Sequence, residues 1–344
     1  MTTAALGVSF DDPALERSVR AGLDAVESAL RKAVHSDDEF VANAAGYLVE
    51  AGGKRFRPLL SVLAAHFGDA SRPEVVDAAV VCEITHLATL YHDDVMDEAL
   101  VRRGSQSANA RWDNSVAILT GDFLFSRASN ILADLGPWAV RLQAQTFERL
   151  VIGQINETVG PRPGADPIEH YLSVLADKTG SLIATAAEFG AHFAGVDAPV
   201  IARLRDFGEQ IGVAFQISDD ILDIASESVE SGKTPGTDLR EGVPTLPVLY
   251  ALRGGEGRGA EGGEFTTSAT KAQRLRTLVS HPLVDDAEHA EALALLRSSP
   301  AIEQARTTLR GYADRARATL DTLPDVPARD ALEALTQLVI ARTG

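Results

Sequence analysis

One cysteine, Cys82, stands in a chain of 344 residues, which excludes any internal disulfide and any cysteine-built zinc site. Its thiol is expected only to pack. Basic residues are in deficit too: 32 lysines and arginines against 49 aspartates and glutamates leave a net charge of −17. That is the wrong sign for a nucleic acid or an anionic membrane surface, so neither is an expected partner. No apolar run approaches the roughly 20 residues of a membrane-spanning helix, and no stable membrane insertion is expected. The N-terminus shows no basic-then-apolar leader, so the expected location is the cytoplasm. Strand-like alternation is scarce, and no solenoid-type repeat is present.

What the chain does have is helical periodicity. Amphipathic patterns run over residues 14–34, 39–51, 58–67, 75–100, 115–135, 140–158, 168–194 and 200–224, with several more beyond Val248. Breaks fall where glycine and proline gather, at Gly160-Pro161-Arg162-Pro163-Gly164 and at Ala198-Pro199. A glycine-rich stretch near 254–268 reads as a flexible surface insertion between helices. With 45% hydrophobic and 24% charged residues the chain can bury a substantial core. The expectation is a single all-α domain spanning 1–344, a large helical bundle around a central cavity.

Two carboxylate clusters interrupt this pattern, His92-Asp93-Asp94-Val95-Met96-Asp97 and Gln216-Ile217-Ser218-Asp219-Asp220-Ile221-Leu222-Asp223. Helical spacing puts Asp93 and Asp97 one turn apart on one face, and Asp219 and Asp223 likewise. Buried like charges that close need a cation between them, and hard oxygen ligands on open geometry suit Mg2+ completed by water and phosphate. His86, Thr89, Asp93 and Asp97 form one polar stripe, and Gln216, Asp219, Asp220 and Asp223 likewise lie on one face of the second helix. An acidic run alone usually marks a solvated helix face, but two matched runs among apolar neighbours argue for a metal-diphosphate site.

Cations stand where a diphosphate needs them. Gly52-Gly53-Lys54-Arg55-Phe56-Arg57-Pro58 is a glycine turn with three basic residues just before a helix, and Arg102-Arg103-Gly104 follows Asp97 closely enough for two guanidiniums to reach phosphate oxygens. Lys178-Thr179 and Lys233 add further cations.

On these segments, together with Gly121-Asp122 and the run from Lys233 through Gly236-Thr237-Asp238 to Pro247, the chain resembles the trans-isoprenyl diphosphate synthases, the polyprenyl synthetase family, over almost its whole length. The resemblance implies the isoprenoid synthase fold, all-α around a deep cavity, and a homodimer. It implies a prenyltransferase that condenses isopentenyl diphosphate with an allylic diphosphate, farnesyl or geranylgeranyl. By the same resemblance, Asp93, Asp97, Asp219 and Asp223 hold Mg2+ ions, three with substrate bound. Lys54, Arg57, His86 and Arg103 hold the isopentenyl diphosphate. Arg102 and Lys233 reach the allylic diphosphate, while Lys178, Thr179 and Gln216 line the reaction centre.

In this family the residues four and five before the first aspartate help to set product length. Here they are Thr89 and Ala88, roughly 6–8 Å down the helix at 1.5 Å per residue and expected to face the cavity. Because Ala88 is small, the expectation is a medium- or long-chain product of the quinone side-chain type. Leu132 or Phe125 could set a deeper floor instead. A short-chain (C15 or C20) synthase, a class I terpene cyclase and a non-catalytic subunit of a heteromeric synthase are the alternatives. Asp219-Asp220-Ile221-Leu222-Asp223 has the synthase spacing rather than that of a cyclase, and a non-catalytic subunit would commonly lose aspartates that this chain keeps.

Overall fold

The structure, a computed structural model, describes residues 10–225, 235–253 and 269–343. Lys233 and the glycine-rich 254–268 stretch lie outside them. In chain order the helices are α1 Pro13–Ala33, α2 Glu39–Glu50, α3 Phe56–Ala65 and α4 Pro73–Met96. Two short strands, β1 Val101–Arg102 and β2 Ser105–Gln106, precede α5 Ala108–Arg111, α6 Asn114–Leu135, α7 Pro137–Val159 and α8 Pro167–Leu175. A π-helical turn, Ala176–Gly180, leads into α9 Ser181–Phe193 and α10 Ala198–Ala225. The remainder comprises α11 Thr237–Glu241, α12 Leu246–Leu252, α13 Ala269–Leu278, α14 Asp286–Arg297, α15 Ala301–Leu320 and α16 Pro327–Ala341.

Local chemistry starts these helices. Asp12 and Asp166 each precede a proline at the first helical position, and their carboxylates accept the amides of Ala14 and Leu15 and of Ile168. The proline lacks an N–H where none is needed, and the aspartate satisfies those that remain. Three boundaries depart from the periodicity. Helix α3 begins at Phe56 rather than at 58, because Pro58 is tolerated inside a first turn whose amides have no helical partner anyway. Helix α4 ends at Met96 rather than at 100, where Glu98 turns left-handed at φ 49°. The expected 168–194 helix is broken by the π turn, whose close approach to α7 depends on Gly153: a Cβ there would meet the Lys178 amide nitrogen at 2.7 Å.

The described residues group into two compact units. The first takes 10–150, 181–209 and 317–335, the second 151–180, 210–225, 235–253, 269–316 and 336–343. The first unit is built on α4, which is apolar almost all round: Val75, Ala78, Val81 and Cys82 join Leu182, Ala186, Phe189 and Phe193 of α9 in one core. Cys82 is fully buried, and burial pushes its thiol pKa up to about 12, so it packs as expected and is not a nucleophile. Small residues let α3 and α9 touch backbone to backbone. Ser61 Oγ donates to the Ala186 carbonyl at 2.7 Å, and a Cβ on Gly190 would sit 2.0 Å from the Ser61 carbonyl oxygen.

Gly190→Ala therefore forces the two helices apart. The expected cost is about 1–3 kcal/mol, the range for overpacking, read as a lower urea midpoint.

Candidate active site

In the first unit the diphosphate-type residues gather around the end of α4. Glycines at 52 (φ 86°) and 53 (φ 152°) and a left-handed Arg55 (φ 51°) turn the chain sharply into α3. Arg55 points inward: it is 7% exposed, its Nε donates to Glu27 at 2.9 Å, its Nη1 to Glu83 at 2.8 Å and its Nη2 to the Val49 carbonyl at 3.1 Å. Of the three basic residues in this turn, Arg55 is thus spent on holding the turn. Lys54 is exposed, and Arg57 is half-buried with a buried Nε that has no hydrogen-bond partner. Burial lowers the pKa of Arg57 as well, the mark of a cation without enough negative charge around it.

The strands form a two-residue antiparallel ribbon, with Val101 opposite Gln106 and Arg102 opposite Ser105. Arg103 (φ 54°) and Gly104 (φ 75°) are both left-handed, as a tight hairpin turn requires. Sequence periodicity offered no strand here. The ribbon sends the adjacent arginines to different places. Arg102 Nε meets the buried Asp94 at 2.6 Å with an Nη 3.8 Å from Asp97, while Arg103 donates to the Leu48 carbonyl at 2.7 Å and to the Gly52 carbonyl. Gly53 sits at φ 152°, a conformation that side chains rarely adopt, and a Cβ there would also crowd the Arg103 guanidinium carbon at 3.0 Å.

His86 completes the group. Its pKa is held well below the usual imidazole value by burial and then by the positive charge of Arg57, Arg103, Arg102 and Arg55. Asp93 is half-buried and Asp97 exposed on the same stripe. Asp94, off the stripe, is fully buried and ties the ribbon to α4. Thr89 is half-buried on the stripe, its hydroxyl donating to the His86 carbonyl at 2.8 Å. Ala88 has no accessible surface, and its carbonyl lies beside Gly121 of α6. This corrects the expectation that Ala88 faces an open cavity: α6 closes on it at the glycine. Tyr91, also fully buried, donates its hydroxyl to the Ala44 carbonyl at 2.5 Å.

In the second unit the other cluster repeats the division of labour. Asp220, the middle aspartate, is 5% exposed; it accepts the Gln216 side-chain amide at 2.9 Å and the Tyr171 hydroxyl, and burial pushes its pKa up to about 7. Asp219 is half-buried and pairs with Arg342 at 2.5 Å. Asp223 is half-buried, and its oxygens accept the amides of Thr237 (3.2 Å) and Asp238 (3.3 Å) at the start of α11. Lys178 and Thr179 both lie in the π turn, with Lys178 Nζ 2.5 Å from Glu157. Such single π turns recur at functional sites. Sequence reasoning missed the roles of Asp94, Tyr171, Glu157 and Arg342, and it read Asp220 only as part of the acidic face. Asp94 falls off the stripe of Asp93 and Asp97, which was an available signal, whereas Asp220 shares a face with Gln216, Asp219 and Asp223 and spacing could not set it apart.

An all-α architecture with two aspartate-bearing helices and a dense group of cations defines a diphosphate-handling enzyme class, and known proteins match it. The Polyprenyl synthetase family profile matches residues 38–278. A nonaprenyl diphosphate synthase of Mycobacterium tuberculosis is 49% identical over 99% of this chain and 98% of its own, and a dimethylallyltranstransferase of the same organism is 41% identical over 97% and 98%. The crystal structure of geranylgeranyl pyrophosphate synthase from Corynebacterium glutamicum, complexed with calcium and isoprenyl diphosphate, superposes with a TM-score of 0.84 at 46% identity, covering 98% of this chain and 100% of that one. The chain belongs to the polyprenyl synthetase family, a prenyltransferase with the all-α isoprenoid synthase fold.

The depressed pKa of His86 has a stability consequence. The folded chain keeps the ring neutral, whereas the unfolded chain takes up a proton below the ordinary value of 6.5, so this residue costs stability as pH falls through 6.5. Urea unfolding at pH 5 and pH 7 should show a smaller loss on acidification for His86→Gln than for wild type.

Proposed function

We propose that the chain is a Mg2+-dependent synthase that adds isopentenyl diphosphate to an allylic diphosphate, farnesyl or geranylgeranyl, and builds a trans polyprenyl diphosphate of medium or long chain. One observation carries the substrate assignment: in a protein of net charge −17, Arg57, Arg102, Arg103 and His86 crowd together with the Arg57 Nε buried and unpartnered. Cations so crowded call for an anion, and a diphosphate supplies several strong acceptors. Lys54, Arg57, His86 and Arg103 hold the isopentenyl diphosphate, and a neutral His86 serves as a hydrogen-bond donor without adding to the repulsion.

The donor set fits Mg2+. Asp93, Asp97, Asp219 and Asp223 offer only hard oxygens. Mg2+ takes such donors, one or two carboxylates per ion, and fills its shell with water and substrate phosphate. When bound, the ions supply positive charge to the departing diphosphate. Arg102, steered by Asp94 to within 3.8 Å of Asp97, adds charge for the allylic diphosphate, and Lys233 is assigned the same role by family resemblance. Gln216 commits its NH2 end to Asp220, so its carbonyl is the end that can face an electron-poor carbon. The Thr179 hydroxyl and that carbonyl stabilise the allylic cation as fixed dipoles, and Lys178 is held beside them by Glu157. The departing diphosphate takes the final proton.

Thr89, on the diphosphate stripe and half-buried, is the stronger chain-length residue, with Ala88 behind it against α6. A medium or long product is supported by the small residue at 88 and by the nonaprenyl synthase relative, whereas the geranylgeranyl synthase neighbour supports a short one. Exposed Ile118, Leu119 and Val140 on α6 and α7, 43–64% accessible, support a homodimer. A cytoplasmic location is supported by the absence, among the described residues, of a helix long and apolar enough to cross a membrane.

Purified protein given isopentenyl and farnesyl diphosphates should elongate the primer only with Mg2+. Failure of the protein alone to do so sinks the reading, and chromatography of the products decides their length. Arg57→Ala should raise KM for isopentenyl diphosphate about 10–100-fold while leaving KM for the allylic substrate near wild type, since one charge-assisted contact contributes about 1.5–3 kcal/mol. Thr89→Phe should shorten the product, whereas Ala88→Phe should mainly destabilise the packing of α4 on α6.

A further inference from the structure

We propose that Arg342 sets the metal affinity of the second carboxylate cluster by occupying it, a proposal that rests on the reading of Asp219 as a metal ligand. The guanidinium lies against Asp219, Nη2 to Oδ1 at 2.5 Å, and over the ring of Phe215 at 5.0 Å, one helical turn before Asp219. A cation placed on the carboxylate that would bind a metal is a stand-in for that metal. Only one of the two can hold the same oxygen.

The residue is delivered by a secured chain end. Beyond α16, the Arg342 amide donates to the Leu338 carbonyl and the Thr343 amide to the Ile340 carbonyl, both at 3.2 Å. The Thr343 carbonyl accepts Arg306 Nη2 at 2.6 Å, and Thr343 is only 5% exposed. Arg306 is itself paired with Glu303 on α15. The last turn therefore presents Arg342 to Asp219 in one geometry instead of letting it sample solvent.

The fit is incomplete in a way that makes it displaceable. Arg342 Nη1 is buried with no hydrogen-bond partner, so the guanidinium bears a desolvation cost in this position that the Asp219 contact only partly offsets. A divalent ion carries twice the charge to the pair of Asp219 and Asp223, and it wins once its concentration is sufficient. Arg342 thus keeps like charges balanced before the ion arrives and raises the concentration at which the ion takes over.

Titration with Mn2+ alone, followed by electron paramagnetic resonance of the unbound ion, tests this on full-length wild type, Arg342→Gln and Asp219→Asn. Arg342→Gln should bind Mn2+ about 3–10-fold more tightly, the scale of one partly exposed ion pair, with Arg342→Lys in between. Asp219→Asn should bind more weakly. In wild type, Mn2+ should speed amide hydrogen exchange over residues 336–343, a readout that needs no turnover. If Asp219→Asn weakens binding while both Arg342 variants match wild type or bind more weakly, Arg342 does not compete and the proposal falls alone. If Asp219→Asn leaves Mn2+ binding unchanged, the metal-ligand reading falls and takes the proposal with it.

Discussion

Holding like charges close together out of water is costly, and the charged cluster of each unit is built around that cost. On α4 and on α10 an aspartate pair sits one turn apart, and in each case the aspartate between them is buried and consumed by protein partners: Asp94 by Arg102, Asp220 by Tyr171 and Gln216. Beside α4 the imbalance has the opposite sign, with Arg57, Arg102 and Arg103 packed around a neutral His86.

Rigid local devices keep these charges from relaxing toward better partners. Arg55, bonded to Glu27 and Glu83, clamps the turn that carries Lys54 and Arg57, and the Arg103-Gly104 hairpin orients Arg102 toward Asp94. Glycines leave room for the Arg103 guanidinium at Gly53 and the His92 ring at Gly121, and at Gly153 for the backbone of the Lys178 turn. Buried side-chain atoms without a hydrogen-bond partner nonetheless include Arg57 Nε, Arg342 Nη1, Arg306 Nε and Ser218 Oγ.

Much was legible before any coordinates. Periodicity located α1, α2, α6 and α7 to within a few residues, because a helix face that must be buried imposes its 3.6-residue spacing on the sequence. The carboxylate and arginine runs pointed to a metal-diphosphate enzyme because those chemistries need charge at fixed spacing. Periodicity was blind to the two-residue ribbon, too short to alternate, and to the π turn, whose one extra residue leaves the apolar pattern on either side intact.

The sequence by itself determined the fold class, the family and the pairing of outer aspartates on each helix, since all three follow from residue identity and local spacing. Only the tertiary structure decided which charges are already spent. Arg55, Asp94 and Asp220 read like their neighbours along the chain but are engaged by partners 28, 8 and 49 residues away. It also decided that Ala88 is enclosed while Thr89 is not, and that Arg342 rests on Asp219 across 123 residues of chain. Electrostatic balance and enclosure depend on distance in space, and helical spacing carries no information about which distant segment packs alongside.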